Sequence, residues 1–257
     1  MDLIELKNKT NTARHPWEYA RFNVLKSFLK KMVGNNPKPV ILDIGCGDSF
    51  VLESISEIYP NAKLIGVDTA FTPEIIAENN IRLKNRNIFF YYTINEVPKD
   101  VKADCILLMD VIEHIEFDID FLMQVNASAF VTNQTQWFIT VPAFQSLFCS
   151  HDVFLGHYRR YNNAMLVDHC TKGGLKKNKV GYFFFSLLLP RYLQVKKEVE
   201  QKKKNLSTDI VDWNGSPFKT KLITFILTLD FNFTKLLGAL GIKMKGLSNY
   251  IICQKSV

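Results

Sequence analysis

Apolar positions along the chain follow two different periods. From Trp17 to Val33 the residues Trp17, Ala20, Val24, Leu25, Phe28 and Met32 recur at the three-and-four spacing of a helix, and Gly34, Pro37 and Pro39 mark its end. Short apolar runs follow at Val40–Ile44, Lys63–Val67, Ile88–Tyr92, Cys105–Met109 and Trp137–Val141, the form taken by strands buried on both faces. Helical spacing returns after the first and fourth runs, and between Val111 and Val125 it sets Ile112, Ile115, Ile119 and Leu122 on one stripe. Strands alternating with helices predict a doubly wound α/β fold, a Rossmann-like and mostly parallel sheet of seven strands.

Beyond Val141 the alternation breaks. A loop rich in histidine, arginine and aromatic residues runs to about Asn163, followed by a short helix. Phe183 to Lys204 reads as a helix that starts apolar and ends basic, Asn205 to Pro217 as a linker, Phe218 to Leu240 as an apolar helix and Gly246 to Gln254 as a closing strand. The 257 residues suit one domain, with an acceptor-binding loop at 142–163 and a helical insertion at 183–240.

Composition narrows the class. With 47% apolar and 22% charged residues the chain can bury a core, which excludes a disordered protein. Five scattered cysteines without a C-x-x-C pair argue against a disulfide framework or a zinc cluster and for a reducing cytoplasm. The first residues lack the pattern of a signal peptide. The longest apolar run, Gly181 to Pro190, falls short of the roughly 20 residues needed to span a bilayer. Much of the net charge of +7 sits in lysines after Lys176. These are not interleaved with aromatics, so nucleic acid is not indicated, whereas the basic end of the helix after Phe183 suits weak peripheral contact with an anionic membrane, the inner membrane surface included.

The first chemical motif is Val40-Ile-Leu-Asp-Ile-Gly-Cys-Gly-Asp-Ser, a strand running into Gly45 and Gly47, where the backbone must turn tightly and let a ligand approach. Asp68 closes the next strand about 20 residues on, where an acid holds the hydroxyls of a nucleotide ribose. A dinucleotide site shares this layout. Asp43 before the turn would repel a pyrophosphate and favour an ammonium group, and Ser49 or Phe50 stands where a third glycine is required.

These residues resemble the class I S-adenosylmethionine-dependent methyltransferases of the type 11-like group. Asp43-Ile-Gly-Cys-Gly is similar to their first motif and Ala103-Asp-Cys-Ile-Leu-Leu-Met-Asp-Val-Ile-Glu-His to their fourth, over roughly Trp17 to Val141. The resemblance implies S-adenosylmethionine as cofactor. Gly45, Cys46 and Gly47 would line its methionine part, Asp68 with Thr69 its ribose, Asn95 its adenine, and Met109 would flank it. Ser49 departs from the glycine that relatives often carry. His15-Pro-Trp-Glu-Tyr-Ala-Arg21 resembles an opening helix that closes over the cofactor's carboxylate, through Trp17 and Arg21, against the simpler reading of a packed Trp17 and a solvated Arg21.

Methyl transfer to an alcohol needs a base at the carboxyl ends of the strands. Asp110, Glu113 and His114 stand there, on one helix side by their spacing, with His114 as the base; Asp110 to Glu113 also reads as a capping box. Asp110, Glu113 and His114 further resemble the Glu-x-x-Glu-His metal cluster of some relatives, completed by a histidine such as His151, but Asp in the first place leaves no metal expected. In Ser150-His-Asp-Val-Phe-Leu-Gly-His-Tyr-Arg-Arg-Tyr161, His151 and His157 are rival bases. Arg159 and Arg160 suit a phosphate or carboxylate, and Tyr158 and Tyr161 a sugar or base, against the alternative of a salt-bridged brace. This loop resembles O-methyltransferases of bacterial capsule and surface-polysaccharide biosynthesis. That implies a sugar hydroxyl on a nucleotide or lipid carrier; a quinone-like or natural-product acceptor, or a silent cofactor-binding scaffold, are the alternatives.

Overall fold

The apolar runs assemble into one sheet. A computed structural model describes residues 14–203, 213 and 215–256. Its strands are β1 (Val40–Ile44), β2 (Lys63–Val67), β3 (Ile88–Tyr91), β4 (Cys105–Met109), β5 (Gln136–Pro142), β6 (Leu175–Phe183) and β7 (Ser248–Lys255), in the order β3-β2-β1-β4-β5-β7-β6. β1 to β5 are parallel, and β7 runs antiparallel between β5 and β6. The helices are α1 (Pro16–Val33), α2 (Phe50–Ile58), α3 (Pro73–Arg82), α4 (Asp118–Asn126), α5 (Ser150–Phe154), α6 (Asn163–Lys172), α7 (Leu188–Lys203) and α8 (Pro217–Ala239).

Alternation along each strand sends side chains to opposite faces. Ile41, Leu107, Phe138 and Ile252 meet α1, α2 and α8 through Leu25, Phe28, Leu52, Leu227 and Phe231. Leu42, Ile106, Trp137, Ile139 and Ile251 meet α4 and α6 through Leu122, Val125, Leu166 and Cys170. Each fully buried Leu or Phe contributes roughly 1.5–3 kcal/mol, against about 1 kcal/mol for a bond such as Asn23 Nδ2 to Thr228 Oγ1 at 3.0 Å, so apolar packing holds α1 and α8 together. From β1 the chain winds outward through β2 to β3, then crosses to β4 on the other side, which opens a ligand crevice at the carboxyl end of β1.

Several expectations need correction. Lys176, Lys177 and Lys179, which the sequence groups with a run of lysines, line β6, an edge strand with a register shift between Lys177 and Lys179. Helix α3, which starts at the Thr72 cap on Ile75 N, was not foreseen. The stretch Val111 to Val125 is not one helix: a 3₁₀ turn at Ile112–His114 breaks before α4 begins at Asp118. The helix expected from Phe183 starts at Leu188, and most of the expected linker lies outside the described residues. α8 is also longer and more apolar than a search for unbroken runs shows, with 23 residues and an 18-residue stretch of mean hydropathy 1.4, because three lysines, an aspartate and an asparagine interrupt the run.

Candidate functional site

The glycine turn lies at the switch point. Gly47 (φ 53°) donates its N–H to Asp68 Oδ2 at 2.8 Å, and Ala70 N–H donates to Asp68 Oδ1 at 2.9 Å, so the acid after β2 is fastened to the turn after β1. Gly45 takes φ 76°, and a Cβ there would stand 2.6 Å from Val111 Cγ2. Its smallness therefore serves the packing of Val111 as well as any ligand. Ser49, where a glycine is common, holds a left-handed φ of 63° and donates from Oγ to Glu53. Asp43 is buried, and burial pushes its carboxyl up to about 7. Burial also raises the Cys46 thiol well above its ordinary range, with Asp43 adding to it, so Cys46 is a packing residue rather than a nucleophile.

α1 folds over this crevice. His15 caps it by accepting from Trp17 N at 3.1 Å, Arg14 pairs with Glu18 and Asp48, and the Arg21 guanidinium lies 5.2 Å from the Trp17 ring. Arg21 is not solvated: its Nη2 lies 2.7 Å from Asp110 Oδ2, while its Nε is buried without a partner. Asp110 has a left-handed backbone (φ 57°), and its Oδ1 accepts from Thr140 Oγ1 at 2.8 Å. That turn ends β4 and sends the next residues in another direction from helical spacing. Asp110 and Glu113 consequently form no capping box, and Asp110 pairs with Arg21 and Thr140.

Glu113 points inward. It is fully buried, and neither carboxylate oxygen has a hydrogen-bond partner. Burial, with Asp110 nearby, pushes its pKa well up. Its carboxylate and one nitrogen each from His114 and His157 all lie within 4.8 Å of one another, and the two imidazoles meet edge to face at 4.6 Å. His157 Nδ1 bonds Asp152 Oδ1 at 2.8 Å, the arrangement in which a carboxylate orients an imidazole for work at its other nitrogen. His151 stands outside this group. Burial and then Arg191 lower its pKa.

The loop after β5 is a brace built on two buried carboxylates. Asp152 binds His157, Arg160 Nε at 2.8 Å, Arg191 Nη2 at 3.1 Å and Cys149 N–H at 2.9 Å. Burial alone would raise its pKa, but the His157 bond and Arg160 outweigh that and hold it below the carboxylate range. Asp118 binds Tyr161 Oη and His169 Nδ1, both at 2.6 Å, and Arg159 Nη1 at 2.9 Å. Arg160 is only 6% exposed and Tyr161 fully buried, so both are packed inside this brace. Both arginines expected to clamp a phosphate are engaged within the protein, Arg159 also donating to Glu116 O. Tyr158, 52% exposed, remains at the rim.

The profile of a family described as a methyltransferase domain matches residues 17–169. The chain belongs to this methyltransferase family. No curated protein sequence matches it. Among solved structures it is similar to an S-adenosylmethionine-dependent methyltransferase from Archaeoglobus fulgidus, at 16% identity and a TM-score of 0.55, over 99% of this chain and 100% of that one. It is also similar to phosphoethanolamine N-methyltransferase 2 of Haemonchus contortus in complex with phosphomonomethylethanolamine and S-adenosylhomocysteine (14%, TM-score 0.55, 91% and 53%). A third likeness is to coclaurine N-methyltransferase bound to N-methylheliamine and S-adenosylhomocysteine (13%, TM-score 0.54, 91% and 70%). At these identities the likeness is one of fold.

The methyltransferase takes its methyl group from S-adenosylmethionine. Thr69, Asn95 and Met109 follow or end β2, β3 and β4, at the same carboxyl end of the parallel strands as the glycine turn after β1. Asp118, Asp152 and Arg191 were missed. Asp152 precedes His157 by five residues within the loop, the one local signal; Arg191 lies 39 residues from Asp152 and leaves none.

Proposed function

We propose that this methyltransferase transfers the methyl group of S-adenosylmethionine to a hydroxyl of a sugar acceptor, with His157 or its neighbour His114 as the base. The observation that carries the reading is the Asp152–His157 bond at 2.8 Å beside His114. With Nδ1 donating to Asp152, Nε2 of the neutral ring is free to accept a proton. The hydroxyl oxygen attacks the methyl carbon, the carbon–sulfur bond breaks to release S-adenosylhomocysteine, and the hydroxyl proton passes to the imidazole. The half-exposed Tyr158 ring at the rim supports a sugar as acceptor, since the face turned away from the Arg159 guanidinium offers a stacking surface. The test is transfer of labelled methyl to free, nucleotide-linked and lipid-linked sugars, beside phenols and amines. Sugar labelling that is lost in His157→Ala supports the reading, and labelling of amines or phenols alone overturns it.

The partnerless oxygens of Glu113 favour a second reading of the same group. One carboxylate and two imidazoles form a donor set for a divalent cation, which would hold the acceptor oxygen and ease its deprotonation. Electron paramagnetic resonance with Mn²⁺ tests it: a bound signal lost in Glu113→Gln supports the cation, and a spectrum of free Mn²⁺ removes it.

A further inference from the structure

We propose that α8 is a docking helix that lies in the surface of an anionic lipid bilayer. Its exposed apolar residues are Phe218, Leu222, Phe225, Ile226, Leu229, Phe233 and Leu236, continued by Leu240 at its C-cap, recurring at spacings of three and four, and they include Phe218 at 75% and Leu236 at 60% exposure. A solvent-facing stripe of this kind is the reverse of an ordinary surface helix, whose outer face is polar.

The opposite face is already occupied. Leu227 and Phe231 are buried in the core beside Phe28, and Thr224 Oγ1 and Thr228 Oγ1 bond Pro16 O and Asn23 of α1. Although long and apolar enough to cross a membrane by length and composition, the helix is held flat against the body of the protein and presents only its outer stripe. It lies on the surface instead of crossing.

Charge decides the occupant. Lys219 and Lys221 flank the stripe at one end, and Lys243 and Lys245 follow it at the other, all exposed. The single acid of α8, Asp230, is taken up by the backbone N–H groups of Phe185 and Ser186 and by the Ser186 hydroxyl. A second copy related by a twofold axis would set lysine against lysine around the apolar centre, whereas lipid phosphates complement the lysines and acyl chains the stripe. The basic helix α7 was the expected contact; the stripe on α8 is the stronger one, and it is independent of the acceptor assigned above.

The experiment is co-sedimentation of the full chain with vesicles of phosphatidylcholine alone or mixed with phosphatidylglycerol, at low and high salt. Binding is expected to the mixed vesicles, weakened by salt, and at least about tenfold weaker in Lys219→Glu/Lys221→Glu and in Phe225→Gln/Leu229→Gln/Phe233→Gln. These positions are exposed, and circular dichroism melting verifies that both variants stay folded. Protein that stays in the supernatant at low salt overturns the proposal. Equal binding to the neutral vesicles overturns the choice of an anionic surface. A concentration-dependent dimer that the triple substitution abolishes would instead assign the stripe to a second copy.

Discussion

Arg21 on α1 reaches Asp110 at the end of β4, with Nη2 2.7 Å from Oδ2, and this pair ties the helix beside the glycine turn to the strand that leads into the Glu113, His114 and His157 group. Both side chains are largely buried, so the pair is shielded from solvent in a way that surface pairs are not. A double-mutant cycle with Arg21→Ala and Asp110→Asn is expected to show a coupling of about 1 to 3 kcal/mol in denaturant unfolding. Additive effects would mean that the pair does not hold α1 in place.

Asp43 predicts a pH effect on cofactor binding. Its carboxyl is raised from 3.8 to about 7, so between those values the folded protein holds a proton that the unfolded chain has lost. Stability without cofactor therefore falls as pH rises through that window and levels off above 7. The ammonium group of S-adenosylmethionine favours the ionised carboxyl, so affinity should rise up to about pH 7 and binding at pH 6 should release a proton. Calorimetry in two buffers of different ionisation enthalpy measures that release, and Asp43→Asn should abolish it.

Arg160 and His157 share Asp152 but should fail differently. Arg160→Ala breaks a buried pair and should cost roughly 3 kcal/mol of stability with the acceptor's Michaelis constant unchanged. His157→Ala should keep the fold and lower turnover by about 10². Thermal melts beside steady-state kinetics separate the two. A stable Arg160 variant with a raised Michaelis constant would restore the clamp.

Lysines on β6 guard the free edge of the sheet. Replacing Lys176 and Lys177 by valine should leave the chain folded but prone to concentration-dependent self-association by edge pairing, visible in light scattering. A double variant that stays monomeric at high concentration would show that the bulge after Lys177 suffices.

Local pattern made much of this fold legible. α1, β1 and β4 follow from spacing alone, and the Gly47–Asp68 bond joins two motifs whose separation pointed to it. β6 was hidden because the lysines that protect an edge read as a solvated face. Helical spacing misplaced Glu113 because the left-handed turn at Asp110 is a backbone event that side-chain periodicity does not register. The partners within the loop's brace were not legible for a different reason: Asp118 and Arg191 lie in other elements, and only the folded chain brings them to Arg159 and Asp152.

The position of β7 also bears on how the chain is made. β7 is synthesised after β6, yet it lies inside the sheet between β5 and β6. While the residues from Pro142 to Ser248 emerge from the ribosome, the inner strands already present a complete parallel half with β5 as an open, apolar rim. At the usual pace of translation, roughly 5–20 residues per second, that rim stays unpaired for about 5 to 20 seconds. Over that interval the unpaired edge of β5 is the part of the sheet most exposed to mispairing.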